Sequence, residues 1–121
     1  MADGFLTTHV LDTARGVPAD GLEITLYRLK GETREKIITM VTNNDGRTDS
    51  PILPKDKFTT GDYELVFHAG DYFRAKGLVA PAAKNLFLDV VPIRFGINDA
   101  TSHYHVPLLV SPFSFSTYRG S

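Results

Sequence analysis

The chain has 121 residues, 42% of them hydrophobic, which suits one globular domain around a single core and leaves a second domain unexpected. Thirteen Lys and Arg against fourteen Asp and Glu give a net charge of -1 with no block of one sign, which argues against nucleic acid or an anionic membrane as the main partner. Cysteine is absent, Met1-Ala2-Asp3-Gly4-Phe5 carries no secretory pattern, and no run approaches the ~20 apolar residues of a membrane span, so a soluble, cytoplasmic protein with a small-molecule or protein partner is expected.

Short apolar or alternating segments separated by turn-forming residues predict an all-β sandwich or barrel. Residues 5–12 read as a first strand, and Arg15-Gly16-Val17-Pro18-Ala19-Asp20-Gly21 supplies the Gly and Pro of a turn. Residues 22–30 return as a second strand, in which Leu22, Ile24 and Leu26 alternate with Glu23, Thr25 and Tyr27. A third strand covers 35–42. Asn43-Asn44-Asp45-Gly46 is a strong reversal signal, because these residues tolerate positive φ, and a short strand is expected to begin near Arg47. After an irregular stretch at 51–60, residues 63–69 alternate again, and 70–76 predict the only helix, capped by Asp71 and stopped by Gly77. A long strand is expected over 86–95, at a sheet edge or bulge because Pro92 cannot donate to a ladder. Gly96-Ile97-Asn98-Asp99-Ala100 then turns the chain into two last strands, 103–110 and 113–118, for about eight strands in two packed sheets.

Chemistry enters with those last strands. Successive strand side chains point to opposite faces, so His103, His105, Pro107 and Leu109 share one face, and Ser114, Ser116 and Tyr118 share one face of the next strand. Imidazoles, hydroxyls and a phenol so arranged point to a lined site rather than plain core. No Gly-rich loop precedes a helix with phosphate-binding spacing, there is no Gly-x-Ser-x-Gly elbow, and without cysteine there is neither a thiol nucleophile nor a zinc ribbon. His103 and His105, joined by His9, have the spacing to bind zinc from one face, although a strand pair of histidines is more often a hydrogen-bonded or acid/base pair.

Leu6-Thr7-Thr8-His9-Val10-Leu11-Asp12-Thr13-Ala14-Arg15-Gly16-Val17-Pro18-Ala19 and the closing Tyr118-Arg119-Gly120-Ser121 are similar to the two terminal signatures of the 5-hydroxyisourate hydrolases, or transthyretin-related proteins. Asn44-Asp45-Gly46-Arg47-Thr48 and Gly61-Asp62-Tyr63-Glu64 resemble internal motifs of that family, in family order. The resemblance implies a single domain over 1–121 with the transthyretin-like (prealbumin-like) fold. That fold is a sandwich of two antiparallel four-stranded sheets with one short helix, assembled as a homotetramer with sites at the subunit interface. It further implies hydrolysis of 5-hydroxyisourate in urate catabolism, by attack of activated water on a ring carbonyl and opening of a cyclic amide, with neither metal nor organic cofactor. The family's two histidines, arginine and carboxy-terminal tyrosine match His9, Arg47, His105 and Tyr118, and substrate binding falls to His9, Arg47, Tyr118 and Ser121. Phe113 and Phe115 depart from the family, where tyrosine is frequent.

The residue types suit that task. A neutral imidazole with a pKa of about 6.5 can accept a proton from water, so either His9 or His105 can be the base, His9 being the favoured one, with the other orienting the water or donating to the leaving nitrogen. Arg47 offers a permanently charged planar fork for a carbonyl or oxyanion, and Tyr118 a phenol that donates or stacks. Taken singly, each has an ordinary explanation: a satisfied strand imidazole, a solvated charge after a turn, a packing aromatic. The functional case rests on their joint occurrence. Two other classes compete. Transthyretins share the architecture but carry a hydrophobic hormone, with lysine, glutamate and two threonines where this chain has His9, Arg47, His105 and Tyr118. A purely structural sandwich has no need of His and Arg on a lined face.

Overall fold

The computed structural model describes residues 3–120. Eight strands form two four-stranded sheets: β1 (Phe5–Asp12), β2 (Val17–Pro18), β3 (Glu23–Lys30), β4 (Thr33–Val41), β5 (Gly61–His68), β6 (Val90–Ile97), β7 (His103–Ser111) and β8 (Ser114–Thr117). Their spatial orders are β2-β1-β7-β8 and β4-β3-β5-β6, and one helix, α1 (Ala69–Ala75), follows β5. Alternation explains the layering. Leu6, Val10, Leu108 and Val110 of the first sheet pack against Ile24, Leu26, Leu65 and Phe67 of the second, and Ala69 and Phe73 of α1 join the same core. Among the described residues no helix is long and apolar enough to cross a membrane.

All strand pairs are antiparallel except β1 with β7, which run parallel with Thr7 opposite His105 and His9 opposite Pro107. The buried Thr8 hydroxyl donates to the Val106 carbonyl at 2.7 Å and pins that register. The other edge of β1 is bordered by β2 and by the loop that follows β4, because Val10 donates to the Gly46 carbonyl (2.8 Å) and Leu6 to the Leu53 carbonyl (2.9 Å). Gly46 has φ 75°, and a Cβ there would collide with the Val10 carbonyl. Glycine alone therefore lets this turn close against the strand.

Three local expectations shift. The segment at Arg47 makes only a single bridge to His9, and the short outer strand of that sheet is Val17–Pro18, within the predicted turn. Pro18 lacks an N–H and fits because β2 lies at an edge. The strand foreseen from residue 86 begins at Val90, since the preceding backbone bends so that the Asp89 carbonyl accepts from Gly70 N at 2.8 Å. Pro92 does lie on an edge strand. The helix starts one residue early, and Asp71 sits in its first turn without capping it. Before β7, Asp99 accepts from the hydroxyls of Thr101 (2.6 Å) and Ser102 (2.7 Å), which hold its pKa down at about 2.

Candidate active site

The outward face of the β2-β1-β7-β8 sheet collects the polar residues in rows across strands. Phe5 is in register with His103. Thr7 lies opposite His105, and His105 bridges to Gly120 on its far side. His9 lies opposite Pro107 and bridges to Arg47 on the other. Two turns supply the flanks. Asn43 closes the first, its side-chain oxygen accepting from the backbone N–H of Asp45 (2.9 Å) and Arg47 (3.2 Å). The second is the tail beyond β8, where Gly120 N donates to the His105 carbonyl at 2.7 Å. A Cβ on Gly120 would stand 2.6 Å from His105 Cδ2, so only glycine lets the tail pass the ring this closely.

A cleft of about 370 Å³ opens on this face, lined by Thr7, Arg47, His103 and His105 and walled by the loop 48–51. That volume suits a small organic molecule. His103 stacks flat on Phe5, with ring centroids 4.1 Å apart and 13° between planes. Thr7 Oγ1 lies 2.7 Å from His103 Nε2 and 2.7 Å from His105 Nδ1. His9 Nε2 lies 2.8 Å from the Asp45 carbonyl oxygen, which can only accept, so Nε2 carries the proton and Nδ1 keeps its lone pair.

Two of these imidazoles, His9 and His105, are shifted toward their neutral form. Burial and then the Arg47 charge lower the pKa of His9, outweighing the Asp45 carbonyl and carboxylate that favour its cation. Burial, then Arg47, His103 and His9, lower that of His105. Among the described residues the Arg47 guanidinium makes no ion pair, and its side chain is exposed at the cleft rim. The arrangement thus offers proton-accepting nitrogens beside an unneutralised planar cation, the components of water activation and oxyanion stabilisation.

Of the residues singled out in the sequence, Arg47 and His105 line this cleft, and His9 stands beside it, bridged to Arg47. Tyr118 does not enter the same cleft: it is 61% exposed and borders a separate hollow with Phe95, Tyr104 and Arg119. Arg119 packs its guanidinium 4.0 Å over the Tyr104 ring. Ser121 lies outside the described residues. The sequence pattern alone does not single out Thr7 or the cleft wall at 48–51. Parity with His9 was a usable signal for Thr7, but its contact with two histidines needs the parallel register. Nothing in the composition of the loop marks it as a wall.

The model of the HIUase/Transthyretin family matches residues 6–120. The chain is 63% identical over 118 residues to 5-hydroxyisourate hydrolase 2 of Rhizobium meliloti (strain 1021), covering 98% of this chain and 97% of that one. Among solved structures, (S)-allantoin synthase superposes with a TM-score of 0.90 at 50% identity, covering 99% of this chain, which spans 44% of that longer protein. Sea bream transthyretin in complex with thyroxine superposes with a TM-score of 0.82 at 25% identity, covering 95% and 93% of the two chains. A two-sheet sandwich, a short α-helix after β5 and a family match running from β1 through the tail leave one assignment: the chain belongs to the HIUase/Transthyretin family.

Proposed function

We propose that this chain, as a single domain over 1–121, hydrolyses 5-hydroxyisourate to 2-oxo-4-hydroxy-4-carboxy-5-ureidoimidazoline, with His9, Arg47, His105 and Tyr118 as catalytic residues. The observation that carries the reading is the meeting at one small cleft of the His105 imidazole and the Arg47 guanidinium, which makes no ion pair among the described residues, with His9 bridged to Arg47 beside them. A relative 63% identical over nearly the whole length bears the hydrolase name, which supports the same substrate.

In this reading His105 takes a proton from water through Nε2, the oxygen adds to a ring carbonyl, and Arg47 stabilises the oxyanion. The C–N bond of the cyclic amide then breaks, and its nitrogen receives the proton that His105 took. His9 presents Nδ1 to orient the water or the substrate. Tyr118, which lies outside its own chain's cleft, serves with Ser121 in substrate binding at the subunit interface of a homotetramer, and the enzyme works in the cytoplasm without metal or organic cofactor.

The test follows the decay of freshly generated 5-hydroxyisourate by ultraviolet absorbance and the appearance of chiral product. Acceleration is expected with the protein, before and after chelator treatment, and His105→Ala should lower kcat by about 10²- to 10⁴-fold. Well-folded protein that leaves the decay unchanged sinks the hydrolase reading and favours a ligand carrier of the transthyretin kind.

A further inference from the structure

We propose that Thr7 and His103 form a proton relay behind His105, with Thr7 as the positioning residue that sets which nitrogen of His105 is bare. The inference rests on the reading of His105 as the base and names a part of the machinery that neither His9 nor Arg47 supplies.

The Thr7 hydroxyl sits between two rings at 2.7 Å from each. A hydroxyl has a single hydrogen and can donate to at most one of them. When it donates to His103 Nε2, His105 must fill the other contact with its own Nδ1–H, and its Nε2 is left as a lone pair. When it donates to His105 Nδ1, His105 carries its proton on Nε2. The first arrangement is the base and the second is the acid, so one hydroxyl rotor chooses between the two states that amide hydrolysis uses in turn.

The surroundings hold the three groups in line. The β1–β7 pairing sets Thr7 opposite His105, and the buried Thr8–Val106 hydrogen bond keeps the strands from slipping. Thr7 is β-branched and stiff at χ1. His103 is flattened against Phe5, which keeps its Nε2 on the hydroxyl. A chance surface contact would need none of this support.

The relay balances. As His105 Nε2 takes the proton of the attacking water, the Nδ1 proton passes to Thr7 Oγ1 and the hydroxyl proton passes to His103 Nε2. The new C–O bond leaves one negative charge on the carbonyl oxygen at Arg47, and one positive charge rests on His103. When the ring C–N bond breaks, His105 Nε2–H gives its proton to the departing nitrogen and the two relay protons step back. The transient cation therefore sits two residues along β7 from His105, away from the row in which Arg47 faces His9. Without the relay it would form on His105, where the Arg47 charge opposes it.

The experiment pairs activity with tautomer. Imidazole ¹⁵N spectra of the labelled protein report which nitrogen of His105 is protonated, and kcat and KM are measured on the same samples with thermal melting as the check on folding. Wild type is expected to show Nδ1–H on His105, and Thr7→Ser should keep that signature and most of kcat. Thr7→Val should lose the Nδ1–H form and drop kcat by about 100-fold with little change in KM. His103→Phe keeps a ring on Phe5 but removes the acceptor, and its loss should not add to that of Thr7→Val. An unchanged tautomer and kcat in Thr7→Val, or equal losses in Thr7→Ser and Thr7→Val, overturn the relay alone. An inactive wild type overturns the hydrolase reading along with it.

Discussion

The permanent charge of Arg47 reaches both imidazoles and has two consequences that pull in one direction. It offers a fork to an oxyanion, and it disfavours protonation of His9 and His105 by lowering further the pKa values that burial lowers. The groups that tune these rings are few: Asp45 and Arg47 act on His9, and Arg47, His103 and His9 act on His105. A base must be neutral to work, so activity should persist below about pH 6.5, the ordinary histidine value, and fall as pH drops through the lowered pKa values. Arg47→Gln should move that acid limb upward toward, but not fully to, the ordinary value, since burial remains. It should also cut kcat/KM by about 10²- to 10³-fold. A pH profile of kcat/KM for both proteins checks the direction; an acid limb that stays put means Arg47 does not set these ionisations. His9, Arg47 and His105 were legible in the sequence as matches to a family pattern. Thr7 was not, because its role depends on which strand lies beside it, and local alternation is silent about that.

Elements are tied together by two carboxylates placed where the sequence gives no warning. Asp12, at the inward end of β1, is fully buried and accepts from the Tyr72 hydroxyl of α1 (2.7 Å) and from Arg15 Nε (2.9 Å). Burial pushes its pKa up, and the hydrogen bonds from Arg15 and Tyr72 outweigh that push, so the net shift is downward. The stability it contributes is present above the unfolded carboxylate pKa of about 3.9 and is lost as pH falls through the lower folded value. Tyr72→Phe removes one charged hydrogen bond and should destabilise the fold by about 1.5–3 kcal/mol. A urea melt near neutral pH reads this directly, and a midpoint equal to wild type would deny the helix that anchor. Glu64 plays a comparable part on β5, bonded by Arg94 (2.9 Å) of the adjacent β6 and by Arg34 (2.7 Å), which reaches across β3 from β4. Strand existence followed from alternation, yet the bend at 86–89 and the two-residue β2 did not. Leu86-Phe87-Leu88 is apolar enough for a strand, but Phe87 is 75% exposed, and the backbone there is recruited by the start of α1 instead.

The strand orders leave β6 and β8 at the edges of their sheets, with Val90, Phe113, Phe115 and Tyr118 exposed on or beside them. Exposed strand edges flanked by apolar side chains are avoided in stable monomers unless something covers them, which supports the proposed homotetramer. The cleft is open to solvent along the outward sheet face, and Tyr118 lies outside it in its own chain, so completion by a facing copy is the expected arrangement. Dilution through the dissociation range, followed by sedimentation and by activity per chain, should show both falling together. Monomers that retain full activity would place the whole site within one chain.

The parallel pairing of β1 with β7 also governs how the protein comes into being. Thr7 and His105 are 98 residues apart in sequence, yet they face each other in register. No hairpin can bring such partners together, and closing so long a loop costs entropy before any contact repays it. During synthesis the edge of β1 opposite its Leu53 and Gly46 contacts must wait unpaired until residues 103–111 leave the ribosome. The cleft is thus among the last features to assemble, and a chain interrupted before β7 can hold all four strands of the second sheet while lacking the two histidines, His103 and His105, that line the cleft.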